Sequence, residues 1–270
     1  MMGIKTIQAI ALGLGLAVGG CSVDAGPKDI VVKRKASTRR PRIYDKLGFK
    51  KKVKYDFSGT RLASKYSLNG RLQRTLRWKP LYNAVERAYG IPKNTLGAMI
   101  MQESFGDPMQ PNSGNDGGLG VSHAQGTTAK YYGLKIHGRS RRASDRRHGM
   151  QLKKMLEGCG YDPGCAQRYD ERAHILKSID LAGRIVAAGR KRKRSWDKGI
   201  MSYRGSRRSS TNQKYLRQVK RWRRALGSRR DYRRAEKDFN AKNTGSFGTY
   251  LRKFHATCEN WGLSKYRKNL

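Results

Sequence analysis

The sequence has few acidic residues, few cysteines and no long apolar run. Asp and Glu number 19 against 60 Lys and Arg, so the formal net charge is +41. The N-terminal apolar run, residues 7–18, has only 12 residues, whereas a membrane-spanning helix needs about 20. There is no C-x-x-C pair and no H-E-x-x-H motif. A zinc site is therefore not expected, and we expect no cofactor.

The positive charge is spread along the whole chain. Residues 21–77 carry 17 basic and 4 acidic residues, residues 78–226 carry 31 and 11, and residues 227–270 carry 11 and 4. Such an excess favours binding to polyanions. An anionic polymer, either nucleic acid or lipopolysaccharide, is therefore an expected partner. For a single basic run such as residues 190–194, the plainer interpretation is a solvated helix face.

Residues 1–20 have the pattern of an export signal, with Lys5 before the apolar run and small residues before Cys21. The ending Val-Gly-Gly-Cys resembles a bacterial lipobox. This implies a lipid anchor at Cys21 and a location in the cell envelope, and Ser22 implies the outer membrane, facing the periplasm. An ordinary signal peptide or an uncleaved anchor is the alternative. Residues 21–77 are rich in Lys, Arg, Gly and Ser and predict a mostly disordered basic tether.

The remaining chain predicts a mainly α fold, because no segment of residues 78–226 alternates with period two. Pro92 marks the expected first turn of a helix with a buried face at Leu96, Met99 and Ile100. Further helices are expected near residues 78–89, 125–132, 141–156, 171–188, 195–204 and 212–226. Residues 227–270 form a basic C-terminal extension with enough aromatic residues for a small docked helix, although nucleic-acid or glycan contact would suit the same composition.

One stretch, residues 90–134, joins an apolar helical segment to a glycine-rich loop. Glu103 lies on the flank of the apolar face, where partial burial penalises the carboxylate and raises its pKa, as a general acid requires. Four glycines between residues 112 and 120 let backbone approach a ligand closely. The layout predicts a carboxyl group at the edge of a cleft. An ordinary surface glutamate at a helix end is the alternative.

The segment IPKNTLGAMIMQES, residues 91–104, resembles the opening of the catalytic domain of soluble lytic transglycosylases and goose-type lysozymes, in which the Glu before Ser is the catalytic acid. Residues 120–129 are similar to that family's G-L-M-Q block. Residues 195–205 and 215–219 resemble its W-x-x-A-x-x-x-Y-N-x-G and Y-x-x-x-V segments. The resemblance covers about residues 80–226 and implies a lysozyme-like helical domain, bounded here at residues 78–226. Ser122, Gly126 and Arg204 stand where Met, Pro and Asn are usual, which leaves substrate preference open.

The resemblance implies cleavage of peptidoglycan glycan strands at the MurNAc-GlcNAc bond to give 1,6-anhydro ends, with Glu103 as single acid and base. It implies that Tyr203 orients Glu103 and that the sugar is held by Ser104, His123, Gln125 and the backbone of Gly118 and Gly120. One alternative is a lysozyme-type hydrolase that uses Asp107 or Asp116 to activate water. Another is a non-catalytic polyanion-binding envelope protein on the same scaffold. The protein is expected to be monomeric.

The cysteines give one further expectation. Cys159 and Cys165 flank Tyr-Asp-Pro-Gly, a turn sequence that brings them into bonding distance. A disulfide between them is expected in an oxidising envelope. Cys258 is then unpaired or exchanges with one of the two, since connectivity cannot be read from sequence.

Overall fold

A computed structural model describes residues 60–109, 116–142, 144–206 and 208–268 of the chain. These parts are mainly helical and contain no strand, which confirms the predicted mainly α class. The α-helices, in chain order, are α1 (Leu68–Thr75), α2 (Lys79–Tyr89), α3 (Thr95–Glu103), α4 (Gly126–Tyr131), α5 (Arg146–Gly158), α6 (Pro163–Ala166), α7 (Ile175–Lys193), α8 (Trp196–Arg204), α9 (Ser209–Gly227), α10 (Arg229–Asn240), α11 (Phe247–Thr257) and α12 (Leu263–Lys268). Short 3-10 helices lie at Leu76–Trp78, Glu171–Ala173 and Cys258–Trp261.

Short polar side chains start several of these helices by accepting a backbone N–H of the first turn. Ser67 caps α1, Asp145 caps α5 and Ser195 caps α8, and Ser and Asp are among the residues preferred at this position. The expectation for Pro92 was wrong. α3 begins at Thr95, with Asn94 in the left-handed conformation at φ 63°, so Pro92 precedes the helix instead of occupying its first turn.

One hydrophobic core joins segments from both ends of the described chain. It includes Leu72 and Trp78 from the N-terminal side and Phe247, Trp261 and Tyr266 from the C-terminal side. The boundary expected at residue 78 is therefore wrong, since the tether was expected to extend to residue 77 but α1 already packs in the core. The described part of residues 227–270, which ends at residue 268, likewise packs in this core and contains three α-helices. Residues 21–59 lie outside the described residues.

Polar contacts reinforce this closure between the two ends. The buried carboxylate of Asp180 on α7 accepts hydrogen bonds from the Tyr89 hydroxyl at 2.8 Å and the Tyr266 hydroxyl at 3.1 Å. Nε2 of His255 lies 2.9 Å from the carbonyl oxygen of Leu76. Helices α2, α7, α11 and α12 are thus held together by groups far apart in sequence.

Helix α3 runs through the middle of this core. Leu96, Met99 and Ile100 are buried as predicted, and α3 packs against α2 and α9. A Cβ atom at Gly97 would lie 2.9 Å from Cζ of Tyr82 on α2 and 3.0 Å from Cδ1 of Leu226 on α9. The absence of a side chain at Gly97 therefore permits the close approach that fixes α3 between its neighbours.

A smaller apolar cluster lies around α5 and α6 and contains Met109, Leu119, Leu152, Met155, Leu156, Ala166 and Ala173. The expected disulfide between Cys159 and Cys165 is present beside it, with a Cα–Cα distance of 5.5 Å. Cys258 is unpaired and buried in the main core. Its sulfur lies 3.4 Å from the carbonyl oxygen of Phe254, and burial raises its thiol pKa to about 12.

Within the described ranges, no helix is long and apolar enough to cross a membrane. The expected signal segment and the lipidation site at Cys21 lie outside those ranges.

Candidate active site

Glu103 is the last residue of α3 and is only partly exposed to solvent. Burial raises the pKa of its carboxyl group to about 7. The hydroxyl of Tyr215 and the positive charge of Arg204 act in the opposite direction, and the negative charge of Asp116 raises the pKa further. A carboxyl group with this pKa is present in both protonation states near neutral pH, so it can give up a proton and later take one back.

The chain on both sides of Glu103 is held by hydrogen bonds from side chains of residues 71–78. Nη1 of Arg71 donates to the carbonyl oxygen of Met101 at 2.6 Å. Trp78 Nε1 and Arg77 Nη2 donate to the carbonyl oxygen of Gly106 at 3.0 and 3.1 Å. Gly106 has φ +82°, and a Cβ atom there would lie 2.7 Å from the backbone nitrogen of Thr75. The segment expected to be a disordered tether therefore fixes the end of the helix that carries Glu103.

The start of α3 is held by a second buried carboxyl group. Glu86 on α2 accepts the N–H of Asn94 at 2.8 Å with one oxygen and the N–H of Leu96 at 2.7 Å with the other. Burial raises the pKa of Glu86 to about 7 in spite of these bonds. Its side chain replaces the N-terminal cap that Asn94 does not supply.

Two buried tyrosines lie beside Glu103. Tyr215 on α9 has a buried hydroxyl that lowers the pKa of Glu103 as a donor, although it makes no hydrogen bond of standard geometry. Tyr203, expected to orient Glu103, instead donates its hydroxyl proton to the backbone carbonyl of Ser122. Burial and the nearby Glu103 raise the pKa values of both phenols, so both remain protonated at neutral pH.

The hydroxyl of Tyr203 is thus directed to Ser122, and Tyr215 is the tyrosine whose hydroxyl lowers the pKa of Glu103. Sequence reasoning placed Tyr215 only on the apolar face of a helix and within the Y-x-x-x-V resemblance. Its signal was the polar tip on an otherwise apolar face, because a buried tyrosine hydroxyl usually has a polar neighbour. Tyr203 acts one step away, on the loop that borders the carboxyl group.

The glycine-rich loop is organised by a buried arginine. Nη1 of Arg172 donates to the carbonyl oxygens of Gly117 at 2.7 Å and Ala124 at 2.8 Å. The guanidinium also pairs with the buried carboxylate of Asp170 at 2.7 Å, and it lies 2.9 Å from Nε2 of His148. All three side chains of this network are fully buried. Arg172 thus ties together the two ends of the loop, residues 117–124.

The expectation that Gly118 and Gly120 present backbone to a ligand is wrong, because both glycines are buried. A Cβ atom at Gly120 would lie 2.1 Å from the carbonyl oxygen of Arg172, and one at Gly118 would lie 2.9 Å from that of His123. Gly120 also has φ +81°. Gly118 and Gly120 thus allow the loop to pack closely against neighbouring backbone. Residues 110–115 lie outside the described ranges.

Ser104 also differs from its expected place in the cleft. It is fully buried, and its hydroxyl donates to the carbonyl oxygen of Val121 at 2.8 Å. It therefore joins the end of α3 to the glycine-rich loop and cannot touch a ligand. His123 and Gln125 are partly exposed, His123 with φ +50°. Both side chains are therefore accessible to a ligand, as the expected contact requires.

Of the two aspartates considered for water activation, only Asp116 acts on Glu103. Its Oδ1 accepts the N–H of Gly118 at 3.1 Å, and it is partly exposed. Asp107 accepts the N–H of Met109 at 2.9 Å and acts electrostatically on Arg74. Asp116 is therefore the aspartate that lies beside the candidate site, and Asp107 is not.

An aromatic pair that sequence reasoning missed follows Glu103. Phe105 has φ +57°, which is rare for a bulky residue, and its ring centroid lies 5.4 Å from that of Tyr66. The Arg71 guanidinium lies 4.3 Å from the Phe105 ring centroid. Tyr66 is 71% exposed, so a ring face remains available near the site. An isolated Tyr in a basic segment gave no sequence signal of this placement.

Comparison of the chain with protein-family models, with curated proteins and with solved structures finds no match. In the described parts of the chain, no group of three or more His, Cys, Asp or Glu side chains is placed to hold a metal ion. The site is thus defined by its own geometry: a partly exposed carboxyl group with a raised pKa, two protonated tyrosines, one aspartate and one arginine.

Proposed function

We propose that the protein is a peptidoglycan lytic transglycosylase in which Glu103 is the single acid and base. The observation that carries the proposal is the position of Glu103. Its carboxyl group ends a buried helix, keeps partial contact with solvent and has its pKa raised to about 7 by burial. The resemblance of residues 91–104 to the lytic transglycosylase family supports the choice of glycan as substrate.

The reaction needs protonation of the leaving oxygen, because glycosidic cleavage passes through an oxocarbenium-like transition state. Protonated Glu103 gives its proton to the oxygen between MurNAc C1 and GlcNAc C4, and the C1–O bond breaks. The N-acetyl group of MurNAc stabilises the cation. The C6 hydroxyl of the same sugar then attacks C1, and ionised Glu103 takes the hydroxyl proton. The products are a free GlcNAc 4-hydroxyl and a 1,6-anhydro-MurNAc end.

The residues around Glu103 suit both steps. Burial and Asp116 favour the protonated acid needed first, whereas Tyr215 and Arg204 stabilise the carboxylate formed after proton transfer. Tyr203 donates a hydrogen bond to the Ser122 carbonyl. This bond fixes the backbone of the loop beside the site. The proposal assigns sugar contacts to His123 and Gln125, which are partly exposed, and to the exposed ring of Tyr66.

The test is mass spectrometry of the material released from purified peptidoglycan by the protein and by its Glu103→Gln variant. We expect anhydro-muropeptides from the protein and none from the variant. Reducing-end products that the variant does not release would identify lysozyme-type hydrolysis. In that second candidate Asp116, which acts on Glu103, would activate water, and Asp116→Asn would abolish turnover.

Release of no soluble product by either protein would favour the third candidate, a polyanion-binding scaffold. Its specific support is the solvent face of α9 and α10, where many basic side chains are exposed, among them Arg217, Arg221, Arg224, Arg229, Arg233 and Arg234. Binding to duplex DNA that weakens steeply as salt rises is the expected behaviour of such a surface.

We also propose that the chain is exported, lipidated at Cys21 and held at the outer membrane facing the periplasm. The support is the lipobox-like sequence alone. Metabolic labelling with a radioactive fatty acid tests this: the chain should become labelled, and Cys21→Ala should remain unlabelled. Label retained by that variant would contradict lipidation at Cys21.

A further inference from the structure

A cavity of about 430 Å³ lies between α4 and the loop that follows it, outside the candidate active site. Four cationic side chains line it, from Lys130, Lys135, Arg139 and Arg141, and Leu134 and Ile136 supply apolar wall. No Asp or Glu is among the described residues that line it. The four cationic residues are exposed, so the cavity is accessible from solvent.

Basic residues are frequent everywhere in this chain, so four cations around a cavity are not by themselves informative. The informative feature is how the loop is held. The backbone N–H of Lys135 donates to Oε2 of Glu171 at 2.7 Å, and that of His137 to Oδ2 of the buried Asp170 at 3.0 Å. Both carboxylates are thus bonded to loop backbone, and they pair with Arg172 and Lys177, two residues outside the cavity lining.

The other half of the loop is held in the same way. The N–H of Arg141 donates to Oδ2 of the buried Asp145 at 3.0 Å, and that of Arg139 to Oε1 of Gln151 at 3.3 Å. Every second residue from 135 to 141 is therefore fixed through its backbone. This arrangement sets the backbone positions of Lys135, Arg139 and Arg141 before any ligand arrives, which reduces the ordering cost of binding.

We propose that this cavity binds a phosphomonoester carried on a small organic body. Four cations around one cavity match a tetrahedral dianion, because guanidinium and ammonium groups form charge-assisted hydrogen bonds to phosphate oxygens. The apolar wall at Leu134 and Ile136 accommodates the carbon skeleton. Lys135 Nζ already donates to the carbonyl oxygen of Arg168 at 3.3 Å, so its ammonium is held at the rim and retains other donors for the ligand.

The size of the cavity limits the ligand. Small-molecule sites measure roughly 300–1,000 Å³, and a volume of about 430 Å³ suits a sugar phosphate or one phospholipid headgroup but not a nucleic-acid duplex. A soluble metabolite and a membrane lipid can present the same phosphomonoester. The chemistry of the site is common to both, and the experiment separates them.

The test measures binding of the full chain to glucose 6-phosphate and to vesicles of phosphatidylcholine with or without phosphatidic acid, whose headgroup is a phosphomonoester. Glucose is the neutral control for the first ligand. The cavity variant is Arg139→Ala with Arg141→Ala. The charge-matched control is Arg252→Ala with Lys253→Ala, which removes two exposed cations from α11, far along the chain from residues 135–141.

We expect the cavity variant to weaken phosphomonoester binding by about tenfold or more, since it removes two charge-assisted contacts, and the control to weaken it by less than about twofold. Binding of glucose 6-phosphate would identify a soluble source, and binding only to phosphatidic acid vesicles a lipid source. Equal losses in the two variants would show unspecific attraction to a cationic protein and overturn the proposal. Binding of neither ligand would overturn it as well.

Discussion

Carboxyl groups with similar pKa values and different surroundings lie at the two ends of α3, Glu86 from α2 at its start and Glu103 at its end. Burial raises the pKa of both Glu86 and Glu103 to about 7. Glu86 is 3% exposed and accepts two backbone N–H groups. Glu103 is partly open to solvent, and the hydroxyl of Tyr215 lowers its pKa without a hydrogen bond of standard geometry. A raised pKa therefore does not identify a catalytic carboxyl group. Free acceptor capacity and access to solvent distinguish the two.

The sharpest test of this comparison is the activity of matched amide variants. Glu103→Gln should reduce glycan cleavage by about 10²- to 10⁴-fold, the range usual for loss of a general acid, because an amide cannot give up a proton. Glu86→Gln should leave the turnover of the folded fraction within a few-fold of the unsubstituted protein. Release of muropeptides per folded molecule measures both. Equal losses of activity in the two variants would contradict a catalytic role specific to Glu103.

Stability should respond in the opposite order. Glu86→Gln places an NH2 group against one of the two backbone N–H donors, so one buried donor loses its acceptor. The free energy of unfolding should fall by about 1–3 kcal/mol, as measured by denaturant titration. Glu103→Gln should cause no comparable loss. A stable Glu86→Gln variant would mean that α3 does not depend on this cap.

The difference in unfolding free energy between the unsubstituted protein and Glu103→Gln isolates the titration of Glu103, because all other titrating groups are common to both. The carboxyl group has a pKa of about 7 in the folded protein and about 4.3 in the unfolded chain. Protonated Glu103 is compatible with burial, so its full contribution is present below about pH 4.3 and is lost as pH rises through about 7. Relative to the variant, the protein should become less stable between those values. A pH-independent difference would contradict the raised pKa.

The smallest expected effects concern the neighbours of Glu103 and have opposite signs. Tyr215→Phe removes a group that lowers the pKa of Glu103, so the alkaline limb of the pH–activity profile should move to higher pH. Asp116→Asn removes a group that raises it, so the limb should move to lower pH. Tyr203→Phe is the control, because its hydroxyl bonds Ser122, and should leave the limb in place. Shifts of the same sign in all three variants would indicate a general structural disturbance.

The sequence predicted the helices well and the fixed backbone of the site poorly. The apolar spacing of Leu96, Met99 and Ile100 placed α3, and burial confirms that face. The helical segments of residues 195–204 and 212–226 were also located within a few residues. These predictions rest on local periodicity, which a single sequence records directly.

The errors arose where long-range contacts decide the outcome. Glycines in the loop after Glu103 were interpreted as room for a ligand, whereas Gly120 makes room for the backbone at Arg172. The segment before residue 78 was interpreted as a tether because it has few large aliphatic residues, yet its Leu72 and Leu76 pack in one core with the C-terminal helices. Burial of Ser104 depends on Val121. None of these contacts leaves a local pattern.

The closure of the core by both ends of the chain has a consequence for the timing of folding. Leu76 meets His255, 179 residues later in the sequence, and Trp78 packs in one core with Phe247 and Trp261. Contacts of such sequence separation form late and slow the search for the native state. A ribosome-bound chain cannot complete this core until its last helices have emerged. If the chain is exported as proposed, that delay keeps it unfolded and able to pass through a narrow translocation channel.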